Sequence, residues 1–191
     1  LTLVEIDKDL INLLEKKFRD FQNIKIINQD ILKFEILNTY ELIISNLPYN
    51  ISSQILVKIC KLKNPPKNLI LMFQKEFSDR LLEKKLNSLN SLVNCFYNVK
   101  KNFDISKNCF KPKPKINSTV LSFTRKDELL LNFDEIEKFI EFKRKLFSHK
   151  RKMLKSLLKN YKNLEADFDL SVRAENLNLE KLIELFKKIN L

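Results

Sequence analysis

The chain has 191 residues, of which 44% are hydrophobic and 31% are charged, and glycine is absent. This length and apolar content fit one large domain, or a domain with a smaller companion, and they exclude wholesale disorder. At the usual frequency of about 7%, such a chain has about a dozen glycines, so glycine-rich phosphate loops are excluded from the printed residues.

The formal net charge is +12. A polyanion partner such as RNA or DNA is one explanation, and a lysine-biased coding composition is another, and charge alone leaves both open. No apolar run reaches the roughly 18 residues of a membrane helix, so we expect no membrane partner. The chain begins at a leucine, directly in a strand-like pattern, and we expect it to be a fragment or to lack preceding residues.

The cysteine and histidine content favours neither a disulfide scaffold nor a metal site. The three cysteines, Cys60, Cys95 and Cys109, have long spacings and form no CxxC pair. His149 is the one histidine, so a histidine metal cluster is excluded. We therefore expect buried or idle thiols in a reducing compartment, and no metal.

Strand and helix patterns alternate through the first 86 residues. Apolar or β-branched runs predict strands at 1–7, 24–30, 40–47 and 69–74, and helical spacing predicts helices within 8–21, 52–63 and 75–86. Ser52 or Ser53 is the expected N-cap of the second helix. The alternation predicts an α/β fold with a mainly parallel sheet that is covered on both faces.

The pattern changes after residue 90. Two further strands, within 92–105 and 118–126, predict an antiparallel pair at the sheet edge, and only helices are predicted beyond Phe133, at 134–147, 149–160 and 178–189. We therefore divide the chain into a sheet domain, 1–127, and a small all-helical subdomain, 128–191.

Polar residues stand at the carboxyl ends of the predicted strands, where open parallel sheets bind ligands. These residues are Glu5, Asp7, Asp30, Asn46 and Gln74, and we expect them to line one rim. Glu5 can accept hydrogen bonds from a ribose diol, and Asp30 can accept from an adenine amino group while the Ile31 backbone meets a ring nitrogen. The alternative for either acid alone is a helix cap, which stabilises a first turn by a few tenths of a kcal/mol. The two acids together favour a ligand site.

The segment after the third strand, Asn46–Leu47–Pro48–Tyr49, suits an adenine amino group. An exocyclic amine is a poor nucleophile because its lone pair is delocalised into the ring. The Asn46 side-chain oxygen and the Leu47 carbonyl can accept its two N–H hydrogens, and Pro48 fixes the backbone. Tyr49 offers a face on which an extruded base can stack. The alternative is a proline turn with a packed tyrosine.

At this point the sequence resembles the adenine N6-dimethyltransferases of small-subunit ribosomal RNA. The matching segments occur in order along essentially the whole chain: "LTLVEIDKDL", "NQDIL", "SNLPYNIS", "LMFQKEFSDRL", "FKPKPKINSTV", "FSHKRKMLKSLL" and "VRAENL". The resemblance implies a Rossmann-like class I methyltransferase sheet with a small all-helical C-terminal subdomain. It also implies S-adenosylmethionine as the methyl donor, with no metal.

The resemblance also implies a reaction and a role for each site residue. Two methyl groups are transferred to N6 of each of two adjacent adenosines near the 3′ end of small-subunit rRNA. Glu5 holds the donor's ribose hydroxyls, Ile6 packs on its adenine, and Asp30 with Ile31 binds the edge of that adenine. Asn46, Leu47, Pro48 and Tyr49 hold the target base, and Asn46 also contacts the donor. The expected partner is the rRNA or the pre-ribosomal small subunit. We expect the protein to be a monomer in the cytoplasm or, alternatively, in a mitochondrion or plastid.

Basic residues form the second implied surface. Residues 143–162 contain nine Lys or Arg and no acid. A solvated helix face is the plain explanation, but the single sign of charge favours phosphate contact, which gives affinity rather than sequence specificity. The residues that we assign to RNA are Lys111, Lys113, Lys115, Lys150, Arg151 and Lys152. His149 is expected at the surface.

Two departures from the family leave other functions open. The family's glycine-rich loop should precede Leu1, and "LNSLN" stands near Asn87–Asn90 where the family has Tyr-Gly-Arg-Leu-Ser. The alternatives are a non-catalytic ribosome-assembly or organellar transcription factor on the same fold, and a resistance methyltransferase that acts on large-subunit rRNA.

Overall fold

The computed structural model describes residues 1–37, 39–161, 164 and 167–190. The chain divides into two compact units, residues 1–37 and 38–191. The strands are β1 (Thr2–Glu5), β2 (Lys25–Asn28), β3 (Leu42–Asn46), β4 (Asn68–Gln74), β5 (Tyr97–Ile105) and β6 (Ser118–Arg125). The helices are α1 (Lys8–Lys17), α2 (Ser52–Cys60), α3 (Lys75–Leu82), α4 (Asn90–Val93), α5 (Ile136–Phe147), α6 (Leu154–Leu157) and α7 (Leu179–Asn190). The predicted α/β class is confirmed.

The first unit is one βαβ crossover. β1 and β2 pair in parallel from Thr2 opposite Lys25 to Glu5 opposite Asn28. Asp7 caps α1, because its Oδ1 accepts from the backbone N–H of Asp9 at 2.8 Å and of Leu10 at 3.3 Å. Asp7, which we expected at the ligand rim, is therefore a helix cap.

The second unit contains a four-stranded mixed sheet in the order β3-β4-β6-β5. β3 and β4 are parallel, whereas β6 is antiparallel to both β4 and β5. The predicted antiparallel pair at the edge is confirmed. Because β6 runs against β4, its first residue, Ser118, lies opposite Gln74 at the carboxyl end of β4. The structure thus brings the start of β6 to the edge of the sheet where β3 ends.

One face of this sheet carries the core of the second unit. Leu69, Leu71 and Phe73 of β4 and Leu121 and Phe123 of β6 are fully buried. Phe73 stacks on Phe77 of α3 with ring centroids 5.0 Å apart, and it also meets Phe123 edge-on.

The expectation that both faces are buried is wrong for part of the opposite face, where Met72 and Val120 are buried but residues nearer the β3 edge are exposed. Residues of one face alternate along a strand, and on the second face Leu42 and Ile44 of β3 are 47% and 68% exposed. Ile70, opposite Ile44 on β4, is 36% exposed. An apolar run therefore predicted the strand correctly but not its burial.

The helical segment differs from the prediction at its basic stretch. Helices α5 and α7 occupy the predicted places, but only Leu154–Leu157 of the expected helix 149–160 is helical. Met153 pairs with Arg173 as an isolated β-bridge, and the backbone N–H of Leu154 donates to Val172 O at 2.9 Å. These bonds to the segment before Ala174 replace the helical bonds of residues 149–153.

The segment that replaces the family's glycine and arginine is held by asparagine side chains. Asn87 Oδ1 accepts from the backbone N–H of Leu89 and Asn90, and the fully buried Asn90 donates to the carbonyls of Glu83 and Lys85. The side chains close a turn locally, so the departure leaves the backbone satisfied without a glycine.

A buried lysine joins α5 to this segment. Lys143 is 5% exposed, and its Nζ donates to Ser88 O at 2.6 Å and to Ser88 Oγ at 3.2 Å. Burial, together with the charge of Arg144, lowers the pKa of Lys143 to about 8. Burial raises the pKa of the neighbouring Cys95 thiol to about 12 and also raises that of Cys60. The buried thiols are therefore protonated at neutral pH.

Within the described ranges, no helix is long and apolar enough to cross a membrane. The predicted boundary between residues 127 and 128 falls after β6 and before α5, and as a functional division it stays a prediction.

Candidate methyl-transfer site

The turn after β3 is built by its own backbone and by one serine. The Leu47 N–H donates to Met72 O at 3.4 Å and continues the ladder to β4, and Leu47 itself is buried. The Pro48 carbonyl accepts from the Ile51 N–H at 3.2 Å and from Ser52 Oγ at 3.0 Å. The turn is therefore held at both ends.

Ser52 has a different role from the expected helix cap. The N-cap of α2 is Ile51, which makes no side-chain capping bond. Ser52 is the first residue of the helix and is 2% exposed, and its hydroxyl reaches back to the Pro48 carbonyl. It ties the helix to the turn.

Tyr49 is anchored by a residue that is distant in sequence but lies at the same end of the sheet. Its phenol oxygen lies 2.7 Å from Ser118 Oγ, a contact between residues 69 positions apart. The Tyr49 ring is half-buried, whereas Ser118 is completely buried. One end of the aromatic side chain is thus anchored in the protein and its ring stays partly accessible.

The acceptor groups of the turn are available. Asn46, the last residue of β3, is exposed. In the part of the chain that the structure describes, neither the Asn46 side-chain amide nor the Leu47 carbonyl has a hydrogen-bond partner. A side-chain oxygen and a main-chain oxygen one residue apart can accept two N–H hydrogens of one amine.

In the first unit, Glu5 is the last residue of β1, and one of its two carboxylate oxygens accepts hydrogen bonds from the backbone. Glu5 Oε1 accepts from the backbone N–H of Ile6 at 2.7 Å and of Asp7 at 2.9 Å. Oε2 has no partner among the described residues. The local turn therefore fixes the carboxylate and leaves one oxygen for a ligand hydroxyl.

Asp30 is arranged in the same way two residues beyond β2. Its Oδ1 accepts from the Leu32 N–H at 2.8 Å, and its carbonyl accepts from Lys33 and Phe34. Asp30 and Ile31 are half-buried, and Ile6, beside Glu5, is 66% exposed. These residues offer carboxylate acceptors and an apolar contact, which fit a nucleoside.

The predicted residues fall in both units. Glu5, Ile6, Asp30 and Ile31 lie in residues 1–37, whereas Asn46–Tyr49 lies in residues 38–191. Each group has the local geometry described above, and the expectation of one common rim stays a prediction.

The loop between β5 and β6, residues 106–117, carries three of the lysines assigned to RNA, and hydrogen bonds of Asn117 hold its two ends together. Asn117 Oδ1 accepts from the Lys107 N–H at 3.0 Å, and Asn117 O accepts from the Lys75 N–H at 2.9 Å at the start of α3. The residues assigned to RNA on this loop, Lys111, Lys113 and Lys115, are all exposed. A fixed base with solvated cations at its tip suits phosphate contact.

The second basic group lies in the turn between α5 and α6. Lys150, Arg151 and Lys152 are exposed, and within the described ranges none forms a salt bridge. His149 is also exposed, and its Nδ1 lies 2.8 Å from Ser148 Oγ. The predicted surface position of His149 is confirmed.

Sequence reasoning missed Ser118 and the turn contact of Ser52. Ser52 stands four residues after Pro48, so its position in "NLPYNIS" is a local signal that could have suggested a bond to the turn. Ser118 has no local signal, because its contact with Tyr49 depends on where β6 joins the sheet.

Solved structures identify the class of fold. A crystal structure of a dimethyladenosine transferase from Plasmodium falciparum matches with a TM-score of 0.83 at 25% identity, covering 99% of this chain and 81% of that one. The crystal structure of the 23S rRNA methyltransferase ErmE matches with a TM-score of 0.74 at 22% identity, over 100% of this chain and 82% of that one. The chain therefore has the Rossmann-like methyltransferase fold.

The sequence narrows this class to one family. The family model described as ribosomal RNA adenine dimethylase matches residues 1–190, and the chain belongs to that family. It is 44% identical over 170 residues to ribosomal RNA small subunit methyltransferase A of Malacoplasma penetrans, covering 84% of this chain and 60% of that protein. The protein of the same name from Thermotoga maritima is 37% identical over 188 residues, covering 96% and 65%. The chain thus spans less than two thirds of the length of these two relatives.

Proposed function

We propose that the chain transfers methyl groups from S-adenosylmethionine to adenine N6 in small-subunit rRNA. Two adjacent adenosines near the 3′ end each receive two methyl groups. The observation that carries the proposal is the turn Asn46–Tyr49, with free acceptor oxygens beside an anchored aromatic ring, in a chain of the rRNA adenine dimethylase family.

The turn acts on the target amine. Asn46 Oδ1 and Leu47 O accept its two N–H hydrogens, which turns the nitrogen lone pair away from conjugation with the ring. Pro48 has no N–H and fixes its own φ, so it keeps the preceding carbonyl in place. Tyr49 stacks on the extruded base. Positioning and electrostatics do most of the work, because the amine proton can leave to water after transfer.

The first unit binds the donor. S-adenosylmethionine, when bound, supplies a methyl group on a positively charged sulfur. Glu5 accepts from the ribose hydroxyls through Oε2, and Asp30 accepts from the adenine amino group. Ile6 covers the adenine with an apolar side chain that is now 66% exposed. The free carboxylate oxygens and the exposed isoleucine support this assignment.

The basic groups hold the RNA backbone. The loop lysines (Lys111, Lys113 and Lys115) and the turn residues (Lys150, Arg151 and Lys152) contact phosphates, which gives affinity and salt dependence. Specificity then comes from rRNA shape and from the extruded base. We place a monomeric protein on the pre-ribosomal small subunit in the cytoplasm, with a mitochondrion or plastid as the alternative.

Methyl incorporation tests the proposal. The complete encoded protein is incubated with labelled S-adenosylmethionine and either immature small subunits or large-subunit rRNA. We expect label in the small-subunit RNA. Label in the large-subunit RNA alone would support a resistance methyltransferase. Binding to small subunits without label in either RNA would contradict catalysis and support an assembly factor.

A further inference from the structure

We infer that Ser118 is a positioning residue that orients Tyr49 for stacking on the target adenine and links this ring to the lysine-bearing loop. The inference deepens the proposed function and rests on it for the identity of the base. It assigns a role to a buried hydroxyl that lies outside the motif Asn46–Tyr49.

The contact joins two elements that the sheet brings together. Ser118 begins β6 opposite Gln74 of β4, and Tyr49 follows β3 on the other side of β4. The two hydroxyl oxygens are 2.7 Å apart, and Ser118 is completely buried. The phenol oxygen of a tyrosine lies on the axis through Cβ, Cγ and Cζ, so a hydrogen bond to this oxygen fixes the direction in which the side chain extends. The position of the Tyr49 ring is then held before RNA arrives.

The neighbouring residue fixes the loop. Asn117 accepts from Lys107 through its side chain and from Lys75 through its carbonyl, so it closes the base of residues 106–117. Asn117 and Ser118 are consecutive. The loop that contacts RNA phosphates and the ring that stacks on the base are therefore held by two consecutive residues at the start of β6. A misplaced reacting group slows a reaction strongly even when binding is unchanged.

A purely structural role would also explain a buried serine with a satisfied hydroxyl. The two roles differ in kinetics. A structural hydroxyl changes stability alone, whereas a positioning hydroxyl changes kcat through Tyr49 and loses its effect once the phenol oxygen is gone.

The test compares Ser118→Ala, Ser118→Thr, Tyr49→Phe and the double variant Ser118→Ala/Tyr49→Phe in the complete protein. Tyr49→Phe removes the same bond from the accessible side, in case Ser118→Ala folds poorly. Ser122→Ala is the matched control, because Ser122 lies on the same strand and its Oγ donates to Asn102 at 3.0 Å. The measurements are kcat and KM for the RNA. A second readout is the fluorescence of an rRNA fragment with 2-aminopurine at the target adenosine, which is quenched by stacking and needs no methyl donor.

We expect kcat to fall about tenfold in Ser118→Ala and in Tyr49→Phe, with KM within about twofold of the wild type. The double variant should be no slower than either single variant, Ser118→Thr should keep at least about half of kcat, and Ser122→Ala should be unchanged. Full kcat in Tyr49→Phe, or reductions that multiply in the double variant, would overturn the inference.

The fluorescence separates this inference from the proposed function. If the wild type transfers no methyl group, the proposed function fails, and quenching then decides the inference alone. Quenching by the wild type that weakens in Ser118→Ala and Tyr49→Phe supports it. Equal quenching by all proteins, or none by the wild type, overturns it.

Discussion

Asn46 and Tyr49 stand in one turn but are held in different ways. Tyr49 is anchored through Ser118, whereas the Asn46 side chain is exposed and makes no hydrogen bond to any described residue. An exposed asparagine at a strand end contributes little to folding, so its substitution reports on function.

Asn46→Ala should reduce methyl transfer about a hundredfold and leave donor binding near normal. The physical reason is the loss of a preorganised acceptor for the target amine. Single-turnover methylation and calorimetric titration of S-adenosylmethionine measure the two effects. Asn50→Ala, in the same turn and also exposed, is the control. Survival of activity in Asn46→Ala would mean that the role given to this turn is wrong.

Asp30→Asn should weaken donor binding about tenfold. The asparagine oxygen can still accept from the Leu32 N–H, so the turn persists, but the other oxygen becomes an NH₂ group that repels the adenine amino group. Calorimetry measures the change, and Asp20→Asn, an exposed acid in the same unit, is the control. Unchanged affinity would identify Asp30 as a structural turn residue.

Local sequence singled out the acids Glu5 and Asp30, whose ligand role stays a prediction, but it did not reveal the contacts of the serines. Glu5 and Asp30 cap no described helix; each accepts hydrogen bonds in a local turn and keeps one oxygen without a partner among the described residues, which is compatible with the predicted ligand role. Ser118 was beyond prediction because it meets Tyr49 across 69 positions.

Among the secondary-structure elements, helices with strong apolar periodicity were predictable. Helices α5 and α7 bury Phe139, Phe142 and Phe186, whose rings contact one another. The stretch 149–153 lacks such an apolar stripe. Residues 153–155 pair with residues 170–173 instead, which a local pattern cannot reveal.

Because Lys143 of α5 is buried where it donates to Ser88, the free energy of unfolding should depend on pH. The pKa of Lys143 is about 8 in the folded chain and 10.5 in the reference state, so between these values the unfolded chain binds more protons. The Lys143 contribution therefore rises with pH from about 8 to 10.5. The buried thiols act oppositely above about pH 9, because their folded pKa values are raised.

Comparison with Lys143→Met isolates the lysine. Between pH 7 and pH 10, the unfolding free energy of the wild type should increase relative to the variant by about 2 kcal/mol, since the thiol contributions largely cancel. Urea denaturation of both proteins in reductant measures this difference. A difference that does not change with pH would contradict the lowered pKa.

For the whole molecule, the α/β class, the strand-helix alternation and the antiparallel pair of β5 and β6 were predictable, but the order of the strands was not. In place of the expected mainly parallel sheet, the structure has a two-stranded sheet in residues 1–37 and a four-stranded mixed sheet in the second unit. Apolar runs indicate strands, but burial of Ile44 depends on what packs against it, and it is 68% exposed.

RNA affinity should depend on where the basic residues lie and not only on the net charge of the chain. Replacing Lys150, Arg151 and Lys152 by Gln should weaken binding and reduce the slope of log K against log salt by about 2, because each neutralised phosphate of a single strand contributes about 0.7 to that slope. Replacing Lys138, Lys181 and Lys187 by Gln removes equal charge from exposed positions on α5 and α7 and is the control. Equal effects of the two triple variants would indicate that only net charge matters.

The most direct test of the central claim is the chemical identity of the product. The complete protein, S-adenosylmethionine and immature small subunits are incubated, and the rRNA is digested and analysed by mass spectrometry. The account predicts two adjacent N6,N6-dimethyladenosines near the 3′ end, formed by the wild type and not by Asn46→Ala. Methylation at another base or another atom, or an unmodified 3′ end, would contradict it.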